Sequence, residues 1–126
     1  AALAELSRLR RVSGLSKKIL VESSEATLLT AFSDSGFFTS YYTPLFNPYL
    51  AGDAEKKQWA DSIAAVLGRS RVDALSGYYF QYPFLQHYFS NYPVLTWAGK
   101  DRWSLAAALF RRKLQADSSV FILLYP

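Results

Sequence analysis

The sequence predicts a mainly α fold: a small single domain spanning 1–126, with four to five helices joined by two uncharged, proline-containing aromatic straps and closed by an apolar tail. Three observations predict it. Apolar residues recur three and four apart in several charged segments, the spacing of one helix face. Two stretches, 37–52 and 76–99, contain no Asp, Glu, Lys or Arg but hold four of the five prolines, and proline disfavours helix interiors. Half of the 126 residues are apolar, which at this length supports a core without staples.

The first segment, AALAELSRLRRVSG, places Leu3, Leu6, Leu9 and Val12 three apart. Gly14 suits a helix stop, and Arg8, Arg10 and Arg11 suit the negative end of the helix dipole. A second helix is expected over SKKILVESSEATLLTAFSDSG, with Ser16 as its cap and Leu20, Val21, Leu28, Ala31 and Phe32 on one face. Ser33 to Gly36 ends it. The strap 37–52 follows, extended and turned by Pro44 and Pro48.

DAEKKQWADSIAAVLG is the clearest helix. Asp53 is its expected N-cap, Trp59, Ile63, Val66 and Leu67 form its buried stripe, and Gly68 suits the residue after its end. Asp53, Lys57 and Asp61 have the spacing of exposed ion pairs. Residues 69–75 read as a turn or short helix. Within 76–99, Pro83 suits a first helical position, with Phe84, Leu85, Tyr88 and Phe89 on one side of a two-turn helix. The segment 100–117 reads as a last helix with Trp103, Ala107, Phe110 and Leu114 as its stripe. The tail SVFILLYP suits a buried strand, a strap across helices, or a docked segment. A weak internal echo links SGFF at 35 with SGYY at 76, each followed by an uncharged segment, charges, a Trp and an alanine-rich helix.

Composition excludes several functions. With no Cys, disulfides, thiolate metal sites and cysteine nucleophiles are all absent. His87 is the only histidine, so any Ser-His-Asp chemistry must pass through it. No Gly-x-Ser-x-Gly elbow, phosphate loop or dinucleotide fingerprint occurs. The acids show no paired motif. The expectation is therefore a protein that is not an enzyme and carries no cofactor. His87 is the weak candidate for holding a metal or pigment through one imidazole, against an ordinary histidine bonded among tyrosines.

The net charge of +4 suits an acidic partner and selects none. Basic clusters at Arg8/Arg10/Arg11, Lys17/Lys18, Arg69/Arg71 and Arg111–Lys113 are separated in sequence from the rings, so nucleic acid is not the expected partner. A membrane span is not expected in 76–99, where Gln81, Gln86, His87 and Asn91 interrupt the run and Tyr outnumbers Leu. Peripheral contact with a membrane face fits better.

Rings make up 17% of the chain, more than the helical stripes need. Tyr, Trp and Phe are enriched, and charges depleted, at interface centres. The straps therefore predict a partner interface of Phe37, Phe38, Tyr41, Tyr42, Phe46, Tyr49, Tyr78, Tyr79, Tyr82, Phe84, Tyr88, Phe89, Tyr92 and Trp97, with Phe121 in the tail. The chain begins at Ala1 and has no Met, which suits a removed targeting peptide. The expected function is a non-catalytic accessory subunit of a large organellar membrane complex, respiratory, ATP synthase or photosynthetic. It would sit at a mitochondrial inner membrane or thylakoid periphery and dock on larger subunits. The alternative is a self-sufficient binding domain with an aromatic cleft for a pigment, sugar or other small ligand.

Overall fold

The computed structural model describes residues 2–13, 19–97 and 120–123. It is an α/β fold, not the mainly α domain the sequence predicts. The order is α1 (Ala2–Ser13), β1 (Leu20–Ser23), α2 (Ala26–Asp34), β2 (Phe38–Tyr42), α3 (Asp53–Leu67), β3 (Ala74–Tyr78), a 3₁₀ turn (Tyr79–Gln81), α4 (Tyr82–Tyr88), β4 (Val94–Trp97) and β5 (Val120–Leu123). All four strand pairings are parallel, and the sheet order is β1-β2-β3-β4-β5.

Strand and helix alternate in a Rossmann-like manner. The order never reverses among these strands, so they form no crevice at a topological switch point. Crossovers of one hand between successive neighbours place their helices on one face. The register shows which face. Tyr41 pairs with Leu75, and Leu75 with Val94. These three join Ala26 and Leu29 of α2, Trp59 and Ile63 of α3, and Tyr82 and Leu85 of α4 in one core cluster. Leu29, Ile63, Leu75 and Leu85 are fully buried; each such side chain contributes roughly 1.5–3 kcal/mol. On the other face of the sheet Ser40, Ala74, Ser76 and Leu95 are buried too.

The central strand explains why the prediction misses the sheet. ALSGY carries Ala74, Ser76 and Gly77, poor strand formers by propensity. At Gly77 the cause is close approach. A Cβ on Gly77 would lie 3.0 Å from Thr43 Oγ1 and 3.2 Å from Leu85 Cδ1.

Several local expectations change with the fold. The helix expected over 16–36, whose Ser16 cap lies outside the described residues, gives β1 and α2 instead, because Leu20 to Ser23 pair with Phe38 to Tyr41 before Ser24 and Glu25 turn the chain. Ser23 Oγ accepts the Glu25 amide at 3.0 Å. The strap 37–52 supplies β2 and then a loop. The strap 76–99 supplies the end of β3, the 3₁₀ turn, α4 and β4. Residues 69–73 are a loop, and β3 already begins at Ala74. SGFF and SGYY themselves sit differently in the fold: Gly36 turns the chain before β2 with φ of 85°, whereas Gly77 lies inside β3; the second echoed helix lies outside the described residues.

Three helices appear where expected. In α1, Leu3 and Leu6 are half-buried while Leu9 and Val12 are exposed. Steps of three drift about 60° each on a 3.6-residue helix, so the covered face passes to Ser7 and Arg10. Arg8 pairs with Glu5 and holds that carboxyl below its usual range. In α3 the N-cap is Gly52, not Asp53, and Glu55 reaches back to accept the Gly52 amide at 3.0 Å. Lys57 pairs with Asp61 as the spacing predicts, and the Asp61 carboxylate raises the Lys57 pKa; Asp53 meets Lys56 instead of Lys57. Gly68 caps α3 in the right-handed region, so it does not need to be glycine for its φ. In α4, Pro83 sits in the first turn.

The tail's strand alternative is the one seen, as β5 alongside β4. The helix expected over 100–117, with Trp103, lies outside the described residues. Among the described residues no helix is long and apolar enough to cross a membrane.

Candidate functional site at the carboxyl edge of the sheet

Ligands of open parallel sheets bind beyond the carboxyl ends of the strands. Here that edge is dominated by the β2–α3 loop, 43–52. The loop leaves β2 through Thr43, whose amide and Oγ1 both donate to the Ser76 carbonyl at 2.9 Å. The next carbonyl, that of Pro44, accepts Trp59 Nε1 at 3.1 Å and Gln81 Nε2 at 3.0 Å. Gln81 is 1% exposed, and its Oε1 accepts the Tyr78 amide at 3.1 Å. One buried amide side chain thus ties the loop after β2 to the turn after β3. Proline gives the loop no N–H to satisfy at 44 or 48. Pro48 is fully buried, and Asn47 Oδ1 accepts the Tyr49 amide at 3.1 Å, closing a tight turn.

Rings fix the rest. Phe46 stacks on Trp59 with centroids 5.1 Å apart and planes 15° from parallel. Tyr49 meets Phe84 of α4 edge-on at 5.7 Å, and Lys56 Nζ lies over the same Phe84 ring at 5.7 Å. Burial raises the Tyr49 pKa. On this fixed scaffold Leu45 is 65%, Tyr49 57% and Leu50 85% exposed. The loop is thus held from within and apolar outside.

Beside it lies a cleft of about 440 Å³ lined by Phe46 and by Glu55, Gln58, Trp59 and Ser62 of α3. The four α3 residues follow i, i+3, i+4, i+7 and share one helix face.

The predicted interface residues are scattered by the fold. Phe37, Tyr41 and Tyr82 are buried, and burial raises the Tyr41 pKa although Arg69 opposes it. Phe38, Tyr42, Phe46, Tyr78, Tyr79, Phe84, Phe89 and Tyr92 are half-buried. Of the strap tyrosines and phenylalanines predicted for an interface, only Tyr49 and Tyr88 are exposed. Trp97 ends β4 and Phe121 lies in β5; their side chains are outside the description. Phe46, Tyr49 and Phe84 come together around the loop. Phe37 lies before β2, at the opposite edge, with Arg10 over its ring at 4.3 Å. His87 is exposed in the last turn of α4, edge-on to Tyr88 at 5.1 Å. Among the described residues no three His, Asp or Glu side chains converge on a metal-sized point.

Sequence reasoning misses Leu45, Leu50, Gln81 and the Pro44 carbonyl. The available signal is the pair of prolines just after a run of rings, which marks a strand end followed by a rigid loop. No family model, curated protein or solved structure matches this chain.

Proposed function

We propose that this domain is a non-catalytic docking module that binds a larger protein through the tip of its β2–α3 loop. One observation carries the reading: three large apolar side chains, Leu45, Tyr49 and Leu50, stand exposed on a loop whose backbone is fixed by Trp59, Gln81 and two prolines. Exposed apolar groups on a pre-ordered loop lose little entropy on docking. The interface of the sequence-based expectation thereby contracts from two straps to one loop tip.

Charge favours a protein over a membrane as the partner. The first turn of α3, next to the tip, holds Asp53 and Glu55, which an anionic lipid surface repels. Lys56, in the same turn, is directed over Phe84.

The test places a photo-crosslinking residue at position 50, and separately at the exposed Leu28 of α2, in the protein within its source cells. A discrete heavier protein adduct from position 50 and none from position 28 is expected, and Leu45→Glu should abolish it. Equal adducts from both positions, none from position 50, a lipid adduct, or an adduct with a second copy of the chain would each overturn the reading.

A further inference from the structure

We propose that the pocket at the amino edge of the sheet, between the α3–β3 loop, α2 and Tyr92, binds the phosphate group of a small phosphomonoester. This inference stands apart from the docking reading, because it concerns the edge opposite the β2–α3 loop. The pocket holds about 350 Å³, within the range of small-ligand sites, roughly 300–1,000 Å³.

Its walls are fixed before any ligand arrives. The Arg69 amide donates to the Val66 carbonyl at 3.1 Å, and the Arg71 amide to Thr30 Oγ1 of α2 at 3.0 Å. Val72 is buried in the core cluster, and Tyr92 packs against that cluster. The two arginines therefore spring from a backbone pinned on both sides, which lowers the ordering cost of binding.

The lining is rich in donors. It contains Arg69 and Arg71 and no carboxylate. The Arg69 guanidinium has no ion pair or hydrogen bond among the described residues. Arg71 spends Nη1 on Asp34 at 2.8 Å, in a pair that is well exposed, so most of its N–H donors stay open. Ser70 stands between them in sequence, and its Oγ is buried with no partner among the described residues. The Tyr92 hydroxyl likewise makes no hydrogen bond there. Thr30 Oγ1 already accepts the Arg71 amide. The complementary ligand is a compact anion rich in acceptors.

The amount of charge selects the anion. A phosphomonoester carries about two negative charges at neutral pH and three strong acceptor oxygens, a match for two guanidinium forks. A carboxylate or a phosphodiester brings only one charge. The end of α3 does not turn bare carbonyls on the ligand, because those of Ala64 and Val66 accept the Gly68 and Arg69 amides.

The test follows the amide and arginine side-chain resonances of the isotopically labelled protein at constant ionic strength. The probes are glycerol phosphate and inorganic phosphate, with dimethyl phosphate and acetate as singly charged contrasts. Both phosphates should shift the amides of residues 69–72 and saturate in about the millimolar range, with each contrast at least about tenfold weaker. Arg69→Gln should weaken glycerol phosphate about tenfold, the loss of one charge-assisted hydrogen bond. Ser70→Ala should weaken it as well and leave the urea midpoint unchanged or higher, because that hydroxyl holds nothing in the free protein. Loss of these resonances on vesicles containing phosphatidate, and not on phosphatidylcholine alone, would place the phosphate on a lipid headgroup. A response to soluble glycerol phosphate without one to vesicles would place it on a free small molecule; either supports the proposal. Overturning results are the absence of a shift with both phosphates, equal binding of acetate or dimethyl phosphate, or a shift that Arg69→Gln and Ser70→Ala both leave unchanged.

Discussion

At the amino edge of the sheet, charged and hydroxyl side chains latch one connection to the next. Asp73 accepts the Thr39 amide at 2.8 Å and its hydroxyl at 3.1 Å, while the Asp73 amide donates back to Thr39 Oγ1 at 3.2 Å. Arg71 pairs with Asp34 at 2.8 Å, and Arg10 donates to the Ser35 carbonyl at 2.6 Å. At the carboxyl edge, the corresponding work is done by uncharged groups, the Pro44 carbonyl with Trp59 and Gln81, and the large side chains left outside are Leu45, Tyr49 and Leu50. Charged latches leave an edge at which Leu20 is the one large exposed apolar side chain among the described strand starts. Neutral latches under Leu45, Tyr49 and Leu50 fix a surface that water solvates poorly. For a protein partner, on the proposed reading, the first edge is structural and the second is the one that docks.

The largest expected effect is at the carboxyl edge. Gly77→Val places methyls against Thr43 Oγ1 and Leu85 Cδ1, contacts already tight for a bare Cβ. Overpacking of this kind costs about 1–3 kcal/mol, read as a fall in the urea midpoint at unchanged m-value. An unchanged midpoint would mean that α4 does not press on β3. Gln81→Leu comes next. It leaves the Tyr78 amide without its acceptor and removes a donor from the Pro44 carbonyl, for a cost of about 1–3 kcal/mol. Protease cleavage within 43–52 should accelerate, and slow cleavage there would show that Trp59 alone holds the loop.

One substitution made at two threonines sharpens the comparison. Thr39→Val at the amino edge removes two hydrogen bonds to Asp73 and should cost about 1–2 kcal/mol. Thr96→Val should be neutral or stabilising, because Thr96 Oγ1 is buried with no hydrogen-bond partner among the described residues and replacement of an unsatisfied hydroxyl by a methyl removes a desolvation cost. Equal costs at both sites would remove the distinction between the edges. The smallest effect belongs to Arg71→Gln. Both partners of its pair with Asp34 are well exposed, and such pairs contribute roughly 0–1 kcal/mol, diminishing with salt. Measured stabilities should differ little at low salt and converge at high salt.

Where local signals were strong, the sequence reads correctly. α3 carries charge at both flanks of a Trp59–Ile63–Val66 stripe, and it forms; α1 forms on its Leu3–Leu6 spacing, and the uncharged α4 on Pro83 in its first turn. The exposed pair Lys57 and Asp61 follows from spacing alone. Where the environment decides, it does not. Ala74, Ser76 and Gly77 look like loop residues, yet they make the centre of the sheet because both of its faces are covered. Leu20 and Val21 fit a helical stripe as well as a strand; only pairing with β2 selects the strand. The rings of 37–52 and 76–99 read as one kind of surface, but the fold buries Tyr41 and Tyr82 and leaves Tyr49 outside. Arg69 and Arg71 line a pocket only once Thr30 and Tyr92 are brought beside them.

By itself, then, the sequence determined the helices with a self-sufficient amphipathic face, the absence of thiol chemistry, and the uncharged, ring-rich character of two segments. Those properties depend on residues within a turn or two of each other. The tertiary structure alone decided the parallel sheet, the packing of α2, α3 and α4 on one of its faces, and which aromatic loop reaches solvent. Each depends on partners tens of residues apart, such as Tyr41 with Leu75 or Gln81 with Pro44, and no local pattern encodes a contact whose two halves are so far apart in the chain.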